Sequence, residues 1–252
     1  FLPAMPDLLA PFRRFYRQWY TQQEWSDLEE ALQKPPPKIK HVFSFTNKEY
    51  VLDRASLLPV QYLDPQPGEK ILDLCAAPGG KSLLIVDAMK SKGVLHCNDA
   101  SKIRLQKMKG LFRDYNVSMN GEGWELCFFH GSGRARAARS GPLYDGILVD
   151  APCSSESHVL RNLRELKKWS PSRSVLLAKR QKKLLWAALR ACRPGGRVVY
   201  ATCSISPLEN GAVVKGVMDK GGPAVTLLEE RLILPHREAM GPLFAALLKR
   251  NH

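Results

Sequence analysis

The stretch that most constrains the fold is an apolar run that ends in a glycine turn and continues into a second apolar run. Residues 71–82 read Ile-Leu-Asp-Leu-Cys-Ala-Ala-Pro-Gly-Gly-Lys-Ser, and residues 83–86 are Leu-Leu-Ile-Val. A buried strand, a turn of small residues and a helix form a ligand crevice at the carboxyl end of a parallel strand. Because the spacing is not Gly-x-Gly-x-x-Gly and Pro78 indicates a rigid turn, a nucleoside fits better than a phosphate chain. By itself, the turn could equally be a simple strand-to-helix corner.

Strand and helix signals alternate through the rest of the chain. Apolar runs bounded by turn residues predict strands at residues 70–74, 94–97, 124–129, 146–150 and 197–201, with strand-like edge segments at 232–234 and 241–244. Helical patterns lie between them, with two of the clearest at residues 182–191 and 207–218. This alternation indicates a doubly wound α/β domain with a mostly parallel sheet.

The N-terminal 50 residues have a different character. Residues 1–33 combine aromatic side chains with charges at helical spacing and predict two short helices. The aromatics, interleaved with arginines, either pack on a core or stack on bases. Pro35-Pro36-Pro37 stops a helix and marks a stiff connection. We therefore expect a helical extension with a Pro-rich connection at residues 1–50, followed by one α/β domain at 51–252.

The charge balance favours a nucleic-acid partner. The 252 residues include 38 Lys and Arg against 24 Asp and Glu, a formal net charge of +14, which points to a polyanion unless the chain is simply basic. Residues 161–183 contain one acid, Glu165, and nine basic residues: Arg161, Arg164, Lys167, Lys168, Arg173, Lys179, Arg180, Lys182 and Lys183. This run is either a solvated helix face or a surface that holds phosphates, and the second interpretation is favoured.

Composition argues against several other classes. No stretch approaches the roughly 18 uninterrupted apolar residues of a membrane span, so none is expected. The six cysteines are scattered without a Cys-x-x-Cys pair, and the histidines are not clustered. A zinc site or a disulfide framework is therefore not expected, no metal is predicted, and a reducing compartment is favoured. The chain starts at Phe1, and no targeting signal can be read in it.

Three polar or reactive side chains follow predicted strands. Asp99 ends the second strand, 26 positions after Asp73, where it could bind a ribose hydroxyl pair or cap the next helix. Cys153 follows the fourth strand in Asp-Ala-Pro-Cys, and Cys203 follows the fifth in Ala-Thr-Cys-Ser. A single buried cysteine is usually inert filler. Two of them at the ligand end of one sheet indicate chemistry.

Together these motifs resemble the Nop/Sun family of S-adenosylmethionine-dependent RNA (cytosine-5) methyltransferases. The loop, the Asp-Ala-Pro-Cys, the Arg-Pro-Gly-Gly at 193–196 and the Thr-Cys-Ser occur in the family's order, and the resemblance runs from about Asp53 to Arg250. Residues 53–59, 153–158 and 241–244 are most similar to the mitochondrial branch, which methylates mitochondrial ribosomal or transfer RNA. The resemblance implies a Rossmann-like class I methyltransferase fold with a seven-stranded sheet, and location in the mitochondrial matrix.

The chemistry of this family explains the residue types. Carbon 5 of cytosine is a poor nucleophile, so a thiolate must first add to carbon 6. By resemblance Cys203 is that nucleophile, and Cys153 acts in the release of the methylated product. Asp150 would orient the base and the methionine end of the cofactor, and Lys81 would polarise the site. The residues expected to bind S-adenosyl-L-methionine are Cys75, Ala76, Ala77, Pro78, Gly79, Gly80, Lys81, Asp99, Arg104, Ser132 and Asp150.

One position departs from the family pattern. The family's Asp-Gly-Arg falls on Ser132-Gly133-Arg134, so a hydroxyl replaces the carboxylate that accepts from the adenine amino group. Losing that hydrogen bond costs about 1–3 kcal/mol of cofactor binding. A second interpretation therefore stays open: a ribosome-assembly factor that binds rRNA through a methyltransferase fold. The two surviving cysteines favour the enzyme.

Two further expectations concern substrate and partners. A DNA methyltransferase is a weaker interpretation, because such enzymes take their nucleophile from the Pro-Cys after the fourth strand and would leave Cys203 unexplained. The mitochondrial branch includes a member that works with a helical-repeat protein of the mTERF type. We therefore expect RNA as the substrate, with a protein partner of that type or a ribosomal precursor directing target choice.

Overall fold

The computed structural model describes residues 8–251. Its strands in this range are β1 (Lys38–Val42), β2 (Glu49–Asp53), β3 (Lys70–Asp73), β4 (Gly93–Asp99), β5 (Asn120–Gly121), β6 (Trp124–His130), β7 (Tyr144–Asp150), β8 (Cys192–Thr202), β9 (Val225–Ile233) and β10 (Leu243–Arg250). Its α-helices are α1 (Ala10–Tyr16), α2 (Gln22–Gln33), α3 (Leu58–Leu63), α4 (Gly80–Ala88), α5 (Lys102–Asp114), α6 (Gly133–Ser140), α7 (Glu156–Leu160), α8 (Leu163–Lys168), α9 (Pro171–Ala191) and α10 (Gly211–Met218).

The main sheet has the strand order β5-β6-β4-β3-β7-β8-β10-β9. The strands β6, β4, β3, β7 and β8 are parallel to one another, and β10 pairs antiparallel with both β8 and β9. From β3 the chain first adds β4 and β6 on one side and then β7 and β8 on the other. The direction of winding therefore reverses between β3 and β7, which opens a crevice at their carboxyl ends. The predicted doubly wound α/β fold is confirmed.

Both faces of the sheet are covered by helices. Neighbouring residues of β3 show the alternation, since Ile71 packs in the cluster with α3, α4 and α5, whereas Leu72 packs in the cluster with α6, α9 and α10. Both residues are fully buried. The sheet therefore lies between two apolar layers and fixes where each strand end points.

The N-terminal helices pack on the loops that follow β7 and β8. Phe12, Tyr16 and Trp25 are buried in a cluster with Val159 and Ile205. The rings of Tyr16 and Trp25 stack with their centroids 5.7 Å apart. These three aromatics belong to a core, so the alternative that they stack on RNA bases does not apply to them.

Some elements differ from those expected from the sequence. The sheet has eight strands rather than seven in the described chain, because the two-residue β5 pairs with β6 at the edge. Residues 38–42, for which the sequence predicted no regular structure, form β1 and pair with β2 in a separate hairpin that runs across the expected boundary at residue 50. Sequence reasoning missed this hairpin because its two strands are only five residues long and largely exposed.

Two helix starts also differ from expectation. The helix expected at 182–191 begins at Pro171, because Ser170-Pro171 places proline in the first turn, where a missing N–H costs nothing. The helix expected from residue 207 begins at Gly211 instead. The side chains of Glu209 and Asn210 are buried there in hydrogen bonds to neighbouring loops. The preceding turn is therefore fixed by those contacts.

Candidate active site

The loop after β3 turns tightly and leads into α4. Gly79 has φ +114°, a conformation that favours glycine, and the Ala77–Pro78 peptide is cis. A Cβ on Gly79 would lie 2.9 Å from Met108 Cγ, and one on Gly80 would lie 2.8 Å from Tyr50 Oη. Both glycines are therefore required by close packing within the protein itself. Sequence reasoning had assigned this turn of small residues to a ligand crevice and did not foresee these contacts.

Asp99 holds this loop from the neighbouring strand. Its carboxylate accepts from Ala77 N at 3.2 Å and from Ser101 N at 2.8 Å. Arg104 Nη1 lies 3.6 Å from Asp99 Oδ2, and Arg104 Nη2 donates to the carbonyl of Ala77. The helix cap is Ser101 rather than Asp99, since the Ser101 hydroxyl accepts from Arg104 N. Each oxygen of Asp99 keeps a second lone pair, so binding of a ribose stays a prediction.

Asp73, at the end of β3, is a buried acid with one unpaired oxygen. Its Oδ2 accepts from Ser82 Oγ at 2.6 Å, whereas Oδ1 has no partner among residues 8–251. Burial raises the pKa of Asp73 to about 7. Together with Lys81 and Asp150 it lines a cavity of about 280 Å³ that also borders the loop at residues 76–80. Sequence reasoning assigned Asp73 no role, because it reads as part of an apolar strand.

Lys81 and Asp150 join the two sides of the switch point. Lys81 Nζ lies 2.8 Å from Asp150 Oδ2. Burial lowers the pKa of Lys81, but the neighbouring Asp150 carboxylate outweighs that effect and leaves the pKa raised. The side chain is therefore an ammonium that connects the loop after β3 to the end of β7.

The two predicted cysteines lie in contact. Strands β7 and β8 are parallel neighbours, with Asp150 opposite Ala201, so the loops that follow them run side by side. Cys153 Sγ lies 2.8 Å from Cys203 Sγ, and Cys203 N donates to Cys153 Sγ at 3.3 Å. Both are free thiols, and Cys203 is the exposed one. The structure thus brings together Lys81, Asp150 and the two cysteines.

The thiols differ in acidity. The hydrogen bond from Cys153 lowers the pKa of Cys203 and outweighs the partial desolvation of its sulfur by the neighbouring loops. The Ser155 hydroxyl, 2.8 Å from Cys203 Sγ, adds to the lowering. The same thiol–thiol hydrogen bond raises the pKa of Cys153. Cys203 is therefore the more acidic of the two thiols. Ser155 was not predicted from sequence, because nothing in the sequence pattern shows that it reaches across to the other loop.

A buried carboxylate lies behind the cysteines. Glu156 accepts from Tyr16 Oη at 2.6 Å, Ser204 Oγ at 2.9 Å and Ile205 N at 3.0 Å, and also from Ser154 Oγ. It thereby joins α1 to the loops after β7 and β8. Sequence reasoning placed Glu156 within a stretch similar to the mitochondrial branch but gave it no role.

A second buried carboxylate, Glu209, completes this support. It accepts from Ser154 N at 3.0 Å and from Gln181 Nε2 at 2.9 Å. Burial, together with the nearby charge of Glu156, raises the pKa of Glu209. The segment that carries Cys153 is therefore fixed from the side of α9 as well.

Ser132 occupies the N-cap position of α6. It is exposed, and its hydroxyl accepts no hydrogen bond from the first turn of the helix. The position faces solvent beyond the end of β6. The structure therefore leaves room at the place where the family pattern has an aspartate.

A group of side chains of the kinds that bind metal ions lies apart from the candidate active site. His96, Glu125 and Cys127 offer ligand atoms within 4.8 Å of one another on β4 and β6. The His96 ring already contacts Tyr144 Oη at 2.8 Å and Arg136 Nη2 at 3.1 Å. A guanidinium so close disfavours a bound cation, and the expectation of no metal stays a prediction.

The mostly parallel sheet with its winding reversal between β3 and β7 is that of a class I methyltransferase fold. The family model described as 16S rRNA methyltransferase RsmB/F matches residues 60–249. The chain is 38% identical over 172 residues to the 5-cytosine rRNA methyltransferase NSUN4 of Xenopus tropicalis, covering 68% of this chain and 42% of that protein. It is 38% identical over 204 residues to the mitochondrial tRNA (cytosine(34)-C(5))-methyltransferase of Danio rerio, covering 77% and 52%.

Solved structures agree with these matches. NSun6 from Pyrococcus horikoshii with SFG is similar at a TM-score of 0.70 and 27% identity, covering 81% of this chain and 53% of that one. A methyltransferase homologue from the same organism has a TM-score of 0.77 at 22% identity, covering 98% and 99%, and supports the fold. The chain belongs to the RsmB/F (Nop/Sun) methyltransferase family, as its motifs indicated.

Two further findings concern the length of the chain and its helices. The chain spans about half the length of the curated relatives it matches. In residues 8–251 no helix is long and apolar enough to cross a membrane.

Proposed function

We propose that this chain is an S-adenosylmethionine-dependent RNA (cytosine-5) methyltransferase that acts on ribosomal RNA. The observation that carries the proposal is the contact between Cys153 and Cys203 at adjoining strand ends, with the lowered pKa on the exposed Cys203. The relatives named as 5-cytosine rRNA methyltransferase and as tRNA cytosine-5 methyltransferase support the same reaction class.

The residues present fit the cofactor. The unpaired Asp73 Oδ1 borders a cavity with Asp150, where an ammonium group would find an acceptor. Asp99 would accept from the ribose, and the loop at 75–81 would enclose the nucleoside. S-adenosylmethionine, when bound, supplies an electrophilic methyl group. The one weak position is Ser132, which offers the adenine amino group a hydroxyl in place of a carboxylate.

The protein's own groups perform the remaining steps. The Cys203 thiolate adds to carbon 6 of the cytosine, and carbon 5 becomes nucleophilic and accepts the methyl group. Lys81 and Asp150, held 2.8 Å apart, orient the base and stabilise the charge that develops on it. Loss of the carbon 5 proton then expels the Cys203 thiolate. Cys153, beside the departing sulfur, acts in this release.

The direct test is methyl transfer to RNA. The purified chain would be incubated with labelled S-adenosylmethionine and either naked rRNA or ribosomal precursor particles, and the RNA digested and analysed for 5-methylcytosine. We expect label in 5-methylcytosine at a single position of the favoured RNA. Label in another base, or in cytosine of DNA but not of RNA, would contradict the proposal.

A second candidate function is an rRNA-binding assembly factor with little or no catalysis. The observation in its favour is Ser132, which is exposed and caps no helical N–H. Calorimetry with S-adenosylmethionine separates the two functions. Binding supports the enzyme, whereas its absence in both the natural chain and the Ser132→Asp variant favours the assembly factor.

Target choice and location complete the proposal. We assign residues 51–252 as the catalytic domain and 1–50 as its extension, with a helical-repeat protein of the mTERF type or a ribosomal precursor selecting the cytosine. The proposed location is the mitochondrial matrix, supported by the similarity to the mitochondrial enzyme of Danio rerio. If the chain alone modified one cytosine of naked RNA at full rate, the partner would be unnecessary. Imaging the full-length protein tests the location.

A further inference from the structure

A second concave surface lies outside the candidate active site, between α6, α9 and α10. Its volume is about 860 Å³, against about 280 Å³ for the cavity beside Asp73. Six basic side chains line it: Arg134, Lys179, Lys182, Lys183, Arg190 and Lys220. We call this surface the basic groove. Its remaining lining is apolar or glycine, and no acid contributes to it.

The six cations have no carboxylate partner in the described part of the chain. Among residues 8–251, none of them lies within salt-bridge distance of a carboxylate; the nearby pair Lys215–Asp219 does not line the groove. Like charges gathered around one concavity repel one another, and a bound polyanion relieves that repulsion. A solvated helix face normally alternates basic residues with acids, so the groove does not match that simpler interpretation.

The α9 side of the groove is a regular stripe. Lys179, Lys182, Lys183, Trp186 and Arg190 recur at spacings of three and four residues and so share one face of the helix. At 1.5 Å per residue the stripe is about 16 Å long. This length allows contact with several consecutive phosphates.

Packing holds two members of the stripe in place. A Cβ on Gly216 would lie 2.5 Å from Lys182 Nζ, so the lysine stem rests directly on that glycine. A Cβ on Gly222 would lie 2.1 Å from the Trp186 ring, and Lys220 Nζ lies 5.5 Å from its centroid. The groove therefore presents the Trp186 indole beside the ammonium group of Lys220.

We propose that the basic groove binds a single-stranded segment of the RNA substrate. A positively charged groove that follows the backbone, combined with an aromatic side chain, is the usual combination in single-strand binding. The adjoining residue of α9, Gln181, donates to the carbonyl of Pro152 at 2.9 Å. The same helix thus supports the Cys153 loop and lines the groove. The identity of the ligand as RNA rests on the proposed function.

The test compares two triple variants with equal loss of charge. Lys179→Gln/Lys183→Gln/Lys220→Gln removes three exposed groove lysines, and Lys92→Gln/Lys107→Gln/Lys249→Gln removes three exposed lysines elsewhere. Binding of a labelled 20-residue oligouridine is measured by anisotropy between 50 and 300 mM KCl. We expect the slope of log K against log salt to become less steep by about 2 in the groove variant. The control variant should keep the wild-type slope.

Trp186→Ala separates stacking from charge. We expect about tenfold weaker oligouridine binding in this variant with the salt slope unchanged, because an indole contributes no counterion release. Melting curves check that the variants fold. Equal slopes for the groove and control variants would overturn the proposal. So would a groove variant that loses binding of labelled oligoglutamate but not of oligouridine, since the groove would then receive an acidic protein segment.

The outcome is distinguishable from failure of the proposed function. A Cys153→Ala chain incubated with substrate RNA is run on a denaturing gel to detect a covalent adduct. If an adduct forms and the groove variant keeps the wild-type salt slope, the groove proposal is wrong and the proposed enzyme activity stands. If the groove variant changes the salt slope but no RNA gives an adduct, the groove proposal stands and the proposed enzyme activity is wrong.

Discussion

The two sides of the switch point are built differently. On the side of β3, β4 and β6, Asp73 keeps an unpaired oxygen, and the Ser132 hydroxyl accepts no hydrogen bond from the first turn of α6. On the β7 and β8 side, the buried Glu156 and Glu209 collect hydrogen bonds from both cysteine loops, from α1 and from α9. On the first side the unpaired oxygen of Asp73 borders a cavity that a ligand can enter. On the second side the two carboxylates are held by several donors of the protein itself, although Glu209 Oε1 and Gln181 Oε1 are also unpaired in the described part of the chain.

This difference matches what each side has to do. A ligand that enters and leaves once per turnover can supply its own hydrogen bonds, so the side that receives it need not be self-sufficient. Covalent addition requires a thiolate held in one place and in one protonation state before the base arrives. The contacts from Cys153 and Ser155 to Cys203 hold its sulfur in place and lower its pKa. The comparison predicts large losses of activity or stability from substitutions on the cysteine side and smaller effects from substitutions on the ligand side.

The largest expected effect separates the two thiols. Cys203→Ala should fold and bind RNA but form no covalent adduct and lose methylation by a factor of about 1,000 or more, because no nucleophile remains. Cys153→Ala should methylate once and stall with protein joined to RNA. A denaturing gel of each variant with RNA and cofactor measures this difference.

Other roles for the cysteines give other patterns on the same gel. If both thiols only fill space, neither variant forms an adduct and both stay active. If Cys153 is the nucleophile, as in DNA methyltransferases, the adduct is lost in Cys153→Ala and kept in Cys203→Ala. If neither wild type nor Cys153→Ala crosslinks to any RNA, precursor particles included, the covalent mechanism is wrong.

The next effect tests the support behind the cysteines. Glu156→Ala should lower the free energy of unfolding by about 4–5 kcal/mol, because the buried donors of Tyr16, Ser204 and Ile205 N lose their acceptor together. Chemical denaturation measures the loss. The matched control is Glu230→Ala, which removes an exposed carboxylate and should change stability by less than about 0.5 kcal/mol. Equal effects in the two variants would show that the network does not hold the loops.

On the ligand side, Asp73 predicts a pH dependence of stability. Its pKa is about 7 in the folded protein against an ordinary 3.8, so between these values the native state keeps a proton that the unfolded chain releases. Stability should therefore fall as pH rises from about 4 to above 7, by about 4 kcal/mol from this group.

Asp73→Asn isolates that contribution, because an amide cannot ionise. Denaturant midpoints measured across this range should show a flatter pH profile in Asp73→Asn than in wild type. The exposed Asp114→Asn should keep the wild-type profile. If saturating S-adenosylmethionine stabilises wild type more than Asp73→Asn at pH 8, the charged carboxylate contacts the ligand. An unchanged slope in Asp73→Asn would contradict the raised pKa.

The sequence predicted the parts of this molecule that depend on local pattern. The α/β class, the parallel strands and the family follow from apolar runs and motif order, and they are confirmed. The hairpin at residues 38–53 was missed because its strands are short and half exposed. Glu156, Glu209 and Ser155 were missed because their partners lie far along the chain or on a neighbouring loop. A polar residue predicts a buried network only when its surroundings are known.

The smallest expected effect concerns Ser132, where the ligand side departs from the family pattern. Ser132→Asp places a carboxylate at the exposed N-cap of α6 and should tighten S-adenosylmethionine binding by about 1–2 kcal/mol, or roughly 5- to 30-fold, by calorimetry. An acid at a helix N-terminus also stabilises the helix, so Ser26→Asp on the exposed face of α2 serves only to control for net charge. Purine riboside separates the two causes, because it lacks the 6-amino group of adenosine. A carboxylate that accepts from that amino group strengthens adenosine binding and leaves purine riboside unchanged, whereas equal gains for both nucleosides would assign the effect to the helix and leave the adenine without a partner at this position.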